Sequence, residues 1–347
     1  MSYPSRTKLL DTATVATLED NLNEVDIPQA YRNALFMQLL LRQAKEPGLE
    51  LQGQNLKLPG VNVKRKTMGG TRAESFVNFE TGSNAQFFRG MSVLGTDIQD
   101  GPTVSWTDYA YLTDYFAISG TEKIENSGAM KRLDILKSRQ NQTIRGMVRA
   151  GETALHSANT DTTAGTQDSW AGIRHKLATS ATGTLQGLDR SVFTTFMNQV
   201  TTSVGSFASG GLDAFRDIIL DCAGTNAMEM PHLIVTTQVV ADAFIKALEG
   251  IHRITGSLNG NDLSASKLPT FMGVPIVWTN DVTAGYAYIL NFDYIENILH
   301  QDAIWAEVRP GEPNDQWVKD QKRYVLGAAP LMLTRPEKQG LLTGLTA

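Results

Sequence analysis

The histidines are the first residues to consider, because imidazole serves both as a metal ligand and as a general base. The chain contains five: His156, His175, His232, His252 and His300. No two of them form an HExxH or HxH motif, and the single cysteine, Cys222, has no histidine at a zinc-ligand spacing. The sequence therefore predicts no metal site.

Nucleophiles and phosphate-binding glycines also lack the neighbours that their chemistry needs. The serines of "ETALHSA" and "GLDRSVF" lie outside any Gly-x-Ser-x-Gly turn, and "FASGGLDAFRD" lacks the Lys-Ser/Thr of a phosphate loop. Only His300 with Asp302 suggests a catalytic pair, near the hairpin predicted at 271–301. A soluble α/β enzyme with its site there is one alternative. The sequence itself predicts no catalytic residue and no cofactor, and Cys222, in "AFRDIILDCAG", is predicted to be a small buried hydrophobe.

Charged residues are concentrated in two regions of opposite sign. "KRKTMGGTR", from Lys64 to Arg72, is basic, whereas the region from Asp293 to Asp320 is acidic. Such patches often only keep a surface soluble, but they also suit docking between subunits at a modest energy per ion pair. The candidate inter-subunit contacts are Lys64, Arg65, Lys66, Arg72, Glu307, Glu312 and Asp315.

The elements that must position these residues begin with helix and strand signals in the first half of the chain. "DIPQAYRNALFMQLLLRQAKEPG" predicts a helix of about four turns that ends at Pro-Gly. Alternating segments between Leu51 and Ile118, such as "TVSWTDYAYLTDYFAIS", predict strands, with Val104, Trp106, Tyr115 and Ala117 interleaved with polar residues. The polar stretch between the strands predicts an extended two-stranded loop that projects from the body.

Apolar residues at three- and four-residue spacings predict a long helix from Thr121 to about Ala158, roughly 50 Å at 1.5 Å per residue. A helix of that length exceeds what a compact globule needs and is typical of a spine. It also carries a local basic excess, which is typical of a solvated face and is suited to weak contact with a phosphate backbone.

After a Thr-rich linker at 159–170, the pattern becomes α/β. "PHLIVTT" followed by "QVVADAFIKALEG" predicts a strand and then a helix. "FMGVPIVWTNDVTAGYAYILN", residues 271–291, predicts a pair of buried strands joined by a short polar turn. We expect a charge at Trp278 to abolish folding or assembly rather than a catalytic step.

The composition is that of a folded chain, with 41% hydrophobic and 19% charged residues. A net charge of −5 argues against a dedicated nucleic-acid reader, and no apolar run approaches the roughly 18 residues of a membrane span. The first 26 residues are polar and predict an arm that orders on a partner surface. An arm, a projecting loop and an over-long helix favour an assembly protein over an enzyme, because neighbouring subunits would complete their contacts.

The order of these elements resembles that of the major capsid proteins of tailed bacteriophages, which have the HK97-type fold. The resemblance covers essentially the whole chain from about Pro28. It is carried by "WAGIRHKLATSATGTLQGLDRS", "PHLIVTTQVVADAFIKAL", "FMGVPIVWTNDVTAGYAYILNFDYIENILHQ" and "RYVLGAAPLMLTRPEKQGLLTGL".

The resemblance implies an α+β fold with an N-terminal arm, an extended loop, a long spine helix in a peripheral domain, and an α/β axial domain. The implied segments are the arm at 1–27, the N-terminal helix and connector at 28–59, the loop at 60–105, the peripheral domain at 106–169, the axial domain at 170–310 and closing peripheral strands at 311–347.

The resemblance also implies a function. The chain would be a structural protein without catalytic residues that self-assembles into hexamers and pentamers of an icosahedral phage head enclosing double-stranded DNA. It would be a component of the virion, assembled in the host bacterial cytoplasm. The implied partners are other copies of the chain, a separate scaffolding protein, a portal, a decoration protein and packaged DNA held by weak non-specific contact, with no membrane. Lys64 and Lys66 lie where some members carry a cross-linking lysine, but no acceptor is identified and no cross-link is predicted. An encapsulin-like bacterial shell protein is the alternative in the same fold.

Overall fold

The computed structural model describes residues 34–41, 49–51, 54–56, 64–77, 102–119, 129–160, 169–206, 210–224, 229–255, 269–308 and 318–346. The helices are α1 (Leu35–Leu41), α2 (Ala129–His156), α3 (Ile173–Lys176), α4 (Gly211–Ala223) and α5 (Gln238–Thr255). The strands of the first half are β1 (Leu49–Leu51), β2 (Gln54–Leu56), β3 (Lys64–Met68), β4 (Arg72–Val77), β5 (Thr103–Asp108), β6 (Ala110–Ser119), β7 (Thr184–Leu185) and β8 (Leu188–Asp189). Those of the second half are β9 (Gln199–Thr201), β10 (Gly205–Ser206), β11 (Leu233–Thr236), β12 (Thr270–Phe271), β13 (Val274–Trp278), β14 (Ala287–Leu290), β15 (Ile295–His300), β16 (Ala306–Val308), β17 (Val318–Leu333), β18 (Gly340–Leu342) and β19 (Leu345–Thr346).

Helix α2 confirms the predicted spine over 28 residues, about 42 Å at 1.5 Å per residue. Its predicted apolar face is buried at Met147, Val148 and Leu155, and Ile144 packs against the same core. The preceding part of the prediction, 121–128, lies outside the described residues.

Helix α1 lies against α2, and a buried carboxylate joins the two. Glu152 of α2 accepts hydrogen bonds from the backbone amides of Phe36 (3.1 Å) and Met37 (2.8 Å), in the first turn of α1. Amides at a helix start have no partner within their own helix, so this carboxylate satisfies two of them. Of the four-turn helix predicted at 26–48, the structure describes Leu35–Leu41; the arm at 1–27 lies outside the described residues.

The first large sheet has five strands and is organised around β17. Strand β17 pairs antiparallel with β6, β15 and β16, and β15 pairs in parallel with β3. The long closing strand is thus present, as are the predicted strands at 64–77 and 103–119, whereas 78–101 lies outside the described residues. In β5 the polar side chains face the protein interior and an apolar one faces solvent: Ser105 and Thr107 are buried, whereas Val104 is exposed.

The second sheet has six strands in the order β12, β13, β11, β14, β18, β9. Helices α4 and α5 share a core cluster with this sheet, in which Phe215 and Phe244 pack with Ile234 and Ile276. The predicted strand-then-helix unit at 233–255 is therefore confirmed, as β11 followed by α5.

The strand pair predicted within 271–291 is wrong in its pairing. Strands β13 and β14 are fully or almost fully buried, as predicted, but they flank β11: β13 is parallel to it and β14 is antiparallel. The connection between them crosses the end of β11, where Thr279 N donates to Thr236 O (3.0 Å) and Thr236 Oγ1 donates to Tyr286 O (2.9 Å). A connection of this length spans two strand spacings of about 4.8 Å each, whereas a tight hairpin spans one.

Two connections run side by side between the sheets. Phe292–Tyr294 leads from β14 to β15, and Pro336–Lys338 leads from β17 to β18. Asn291 N donates to Gln339 Oε1, and Gln339 Nε2 donates back to Asn291 O, both at 2.9 Å. Strand β15, assigned to the axial domain from the sequence, thus lies in the five-stranded sheet, and β18, assigned to the closing peripheral segment, lies in the six-stranded sheet. One hydrophobic core includes residues of both sheets, and the division into domains stays a prediction.

Candidate functional site, a β-hairpin fixed on two faces

The basic stretch that begins at Lys64 lies in the body of the protein, not on a projecting loop as the sequence suggested. Lys64–Met68 forms β3, and its five residues pair in parallel register with Glu296 to His300 of β15. Long basic side chains tolerate this position because their aliphatic stems cover the sheet while the charged ends reach water. Burial lowers the pKa of the Arg65 guanidinium, which agrees with its position in a sheet.

One residue of the basic stretch and one of the acidic region form an ion pair within the chain. Lys66 Nζ lies 2.6 Å from Glu296 Oε2, and Glu296 is only 6% exposed. The same carboxylate oxygen accepts a hydrogen bond from Ser75 Oγ at 3.2 Å. Glu296 therefore joins three strands, β3, β4 and β15. The role of Lys66 as an inter-subunit contact stays a prediction.

Strands β4 and β5 form an antiparallel hairpin whose inner face lies on the body. The register runs from Arg72 opposite Asp108 to Val77 opposite Thr103. Ala73, Ser75 and Val77 are buried, and Ser105 Oγ donates to Ser75 O at 3.1 Å. Small and hydroxyl-bearing inner residues thus let the hairpin lie close to β15, and the hydroxyls of Ser75 and Ser105 are hydrogen-bonded there.

The outer face of the hairpin is fixed by a second set of contacts at Trp106. Trp106 N donates to Gln186 O at 2.9 Å, and the side chain of Arg72 lies over the indole ring, 4.1 Å from its centroid. A Cβ at Gly187 would lie 2.3 Å from Trp106 Nε1, so only glycine allows this approach. Arg72 Nε also donates to Asp108 Oδ1 across the hairpin at 3.0 Å, which orients the guanidinium.

The partner of Trp106 is a tight two-residue turn. Strands β7 and β8 pair through Leu185 and Leu188, and the intervening Gln186 and Gly187 have φ values of 50° and 75°. Positive φ at both central residues is the type I′ geometry, which matches the right-handed twist of a hairpin. The turn is therefore a defined projection against which the indole ring packs.

Beyond Trp106, the outer face of the hairpin carries an exposed apolar pair. Phe76 is 73% exposed, and Val104, directly opposite, is 37% exposed. Sequence reasoning missed Phe76, because adjacent apolar residues in "ESFVNF" leave open which of them faces inward, and a one-residue change of register exchanges the faces. The rest of the predicted loop, 78–101, lies outside the described residues.

The remaining predicted contacts are separated from this hairpin in the chain. Glu307 belongs to β16, opposite Tyr324 of β17. Glu312 and Asp315 lie outside the described residues. The structure thus brings Lys64, Arg65 and Lys66 together on β3, with Arg72 on the adjoining hairpin, and the pairing of the basic set with the acidic one between subunits stays a prediction.

Helix α2 presents an exposed basic stripe. Arg145 and Arg149, one helical turn apart, are exposed on the side where Gln142 and Thr153 are also exposed. Glu152, the carboxylate within this part of the helix, is buried against α1 and does not lie on the exposed stripe. Such a face suits non-specific contact with a polyanion.

The His300 region does not have the arrangement of an acid–base pair. Asp302 contributes its backbone amide to His300 Nδ1 (3.3 Å), and the imidazole ring packs against Tyr109 and Tyr111 at centroid distances of 5.1 and 6.0 Å. The Asp302 carboxylate instead accepts from Gln301 Nε2 at 3.5 Å. Within the described residues, no three metal-binding side chains cluster.

Cys222 lies on the buried face of α4, and burial raises the pKa of its thiol to about 12. A thiol held protonated and out of solvent is a packing residue rather than a nucleophile, as the sequence predicted. Among the described helices, none has the length and apolar character needed to cross a membrane.

Comparisons with known proteins find likeness in structure and not in sequence. No protein-family model matches the chain, and no curated protein matches it. A chain of the cyanophage A-1(L) capsid asymmetric unit superposes with a TM-score of 0.57 at 12% identity, covering 81% of this chain and 90% of that one. The capsid of an empty GTA particle gives 0.52 at 15% identity, covering 89% and 96%.

A shell protein from a bacterium matches similarly. The SrpI encapsulin of Synechococcus elongatus PCC 7942 gives a TM-score of 0.51 at 10% identity, covering 82% of this chain and 85% of that one. The chain thus shares an α+β fold with phage capsid proteins and with an encapsulin, and the resemblance seen in the sequence is confirmed at the level of the fold.

Proposed function

We propose that the chain is the major capsid protein of a tailed bacteriophage, a structural protein that self-assembles into hexamers and pentamers of an icosahedral head around double-stranded DNA. The observation that carries this proposal is the fold likeness to capsid chains, which extends over most of both molecules. A shared fold does not by itself fix a function, but the surfaces of this chain agree with an assembly role.

The β4–β5 hairpin is the element that reaches a neighbouring copy in this proposal. It is fixed to the body on its inner face by Ser75 and Glu296 and on its outer face by Trp106, and it leaves Phe76 and Val104 exposed. An exposed apolar pair on a rigid support suits burial against another subunit, worth about 1.5–3 kcal/mol for a side chain of the size of Phe76.

Contact with packaged DNA is assigned to the stripe of Arg145 and Arg149 on α2. Two exposed guanidinium groups support weak electrostatic contact with phosphates, which requires no base reading and decreases with salt. Because the chain as a whole has a net charge of −5, attraction to phosphates would be confined to this basic stripe. A separate scaffolding protein, a portal and a decoration protein complete the proposed set of partners, in a virion assembled in the bacterial cytoplasm.

Negative-stain microscopy of the expressed chain, alone and with neighbouring phage gene products, tests the proposal. Hexamers, pentamers or closed shells are the expected result. A monodisperse monomer under all these conditions would refute the assembly function. Turnover of a small substrate by such a monomer would favour the enzyme alternative instead.

An encapsulin-like compartment is the second candidate, because the SrpI shell protein matches the chain almost as well as the capsid chains do. The two functions differ in what the particle encloses. Nuclease-resistant DNA in particles purified from the native source supports the phage head, whereas protein cargo without DNA supports the compartment.

A further inference from the structure

We propose that Trp106 and the Gln186–Gly187 turn form a latch that sets the orientation of the β4–β5 hairpin, and that this orientation decides whether copies of the chain close a shell. The inference rests on the proposed assembly function and deepens it by naming positioning residues. Trp106 and Gly187 are positioning residues here, because they act on a neighbouring copy through the hairpin and not by direct contact.

Two independent contacts connect the hairpin to the turn. The backbone bond from Trp106 N to Gln186 O fixes the distance between β5 and the turn, at 2.9 Å. The indole ring lies against Gly187, where an added Cβ would approach Nε1, Cε2 and Cδ1 to 2.3, 2.6 and 2.8 Å. Because the ring is closely packed on Gly187, a shift of one displaces the other.

The ring is also held from within the hairpin. Arg72 lies over it at 4.1 Å and is itself bonded to Asp108, so the side chains of both strands converge on the latch. Arg72 and Asp108 face each other in the β4–β5 register. A displacement of Trp106 is therefore transmitted to β4 as well as to β5, and the hairpin tilts as one unit.

The inner face supplies the pivot for such a tilt. Ser75 and Lys66 both bind Glu296, which is buried in β15. With the inner face held at Glu296 and the outer face held at Gly187, the angle between hairpin and body has a single value. Functional surfaces need to be held to within about 10–20° of their productive orientation. Adding one carbon atom at Gly187 would displace the indole ring and could tilt the hairpin beyond that range.

The chain offers a matched pair of glycines for the test. Gly187 lies in the turn of the small β7–β8 hairpin and Gly183 lies just before its first strand; both have positive φ, 75° and 95°, so alanine is strained at either position. An added Cβ at Gly183 meets nothing within 4 Å, whereas at Gly187 it meets the indole ring. Gly183→Ala therefore reports the backbone strain alone, and Gly187→Ala reports the strain together with displacement of Trp106.

The experiment compares both variants with the unsubstituted chain in three measurements. The first is the melting temperature of the unassembled subunit by circular dichroism, the second is hydrogen exchange of the β5 peptide in that subunit, and the third is negative-stain microscopy of assembly reactions. We expect both variants to fold, with the larger decrease in melting temperature for Gly187→Ala, because its Cβ also displaces Trp106. We expect faster exchange at β5, by about tenfold or more, and particles that are absent or altered in size, for Gly187→Ala only.

Trp106→Ala is the second variant, because it removes the ring and leaves the turn unstrained. It should reproduce the assembly defect of Gly187→Ala, and it keeps the proposal testable if Gly187→Ala fails to fold. Particles of normal size and yield from either variant would overturn the latch. The same conclusion follows if Gly183→Ala disrupts assembly equally, or if assembly is lost while exchange at β5 is unchanged. Failure of the unsubstituted chain to assemble would instead refute the proposed function, and the assembly step of this inference with it.

Discussion

Replacing Glu152 by glutamine tests how α1 is attached to the spine helix. Glu152 is 2% exposed and accepts bonds from Phe36 N and Met37 N, while His156 Nε2 lies 3.1 Å from Glu152 Oε1. A carboxylate has two acceptor oxygens and meets all three groups. A glutamine has one acceptor oxygen, so its amide nitrogen must face a backbone N–H, and two donors then oppose each other in a buried place.

The magnitude follows from the bonds that this substitution removes. Hydrogen bonds to a charged group contribute about 1.5–3 kcal/mol, and a buried donor left without a partner costs about 1–3 kcal/mol. Partial rearrangement of the first turn of α1 recovers some of this loss. We therefore expect Glu152→Gln to lower the free energy of unfolding by about 3 kcal/mol.

The assay is denaturant unfolding of the unassembled subunit, followed by circular dichroism. Glu74→Gln is the matched control, because Glu74 lies exposed on the outer face of β4 and the same chemical change there should alter stability by no more than about 0.5 kcal/mol. Equal unfolding midpoints for the two variants would show that the Glu152 carboxylate does not hold α1.

Three further changes test other parts of the structure. Trp278 packs against both hydrophobic cores, so Trp278→Asp should abolish soluble expression or assembly, whereas Trp278→Phe should assemble; normal particles from the aspartate variant, seen by microscopy, would contradict this. Burial lowers the pKa of His232, and the nearby Asp293 carboxylate opposes this in part, so the unfolded chain binds a proton at this imidazole more readily than the folded chain does. The contribution of His232 to the free energy of unfolding is therefore complete above about pH 6.5 and is lost progressively as the pH falls below that value. Denaturation midpoints between pH 7.5 and pH 5 should therefore decrease less in His232→Gln than in the unsubstituted chain, and equal slopes would argue against a contribution from this histidine. Because burial raises the pKa of the Cys222 thiol to about 12, a thiol-specific colorimetric reagent at pH 8 should label the chain only after unfolding in guanidinium chloride; rapid labelling of the folded chain would refute burial of the thiol.

Elements with a long, regular hydrophobic period are the ones that the sequence predicted well. Helix α2 and the β11–α5 unit belong to this group, because a period of 3.6 residues over many turns, or an apolar run followed by an amphipathic helix, has few alternative interpretations. The general fold could then be predicted from the order of such elements, and the structural comparisons agree with it.

Pairing between strands was harder to predict, because it depends on contacts that are distant in the chain. Strands β13 and β14 are neighbours in sequence, yet β11 lies between them and supplies Thr236 to both ends of their connection. Apolar character shows that both strands are buried but does not show which strand lies beside them. Similarly, the charges of β3 suggested a surface loop, whereas its partner β15 lies more than two hundred residues further along.

The sequence indicated which region of the chain holds the candidate site, but not the contacts that fix the hairpin there. The basic residues from Lys64 to Arg72 do adjoin the hairpin, but the groups that fix it include a serine, a glycine and a tryptophan with no pattern of their own. Gly187 in particular gains its role from the Trp106 ring, which lies 81 residues earlier in the chain and is brought to it by folding. A contact of this kind is visible in the interatomic distances of the folded chain and not in the spacing of residues along the sequence.

The way the hairpin is fixed has a consequence for assembly that exceeds the energy of its contacts. Burying one exposed phenylalanine contributes only a few kcal/mol, so in the proposed assembly a contact between two copies through Phe76 would have modest affinity. A head-to-tail contact between identical subunits closes into a ring only if its rotation closes, and it otherwise continues as an open filament. For such a contact the angle at which Phe76 is presented matters more than its strength. A hairpin held on one face alone would rotate about that attachment. Contacts at both Glu296 and Gly187 therefore fix the angle between the β4–β5 hairpin and the body.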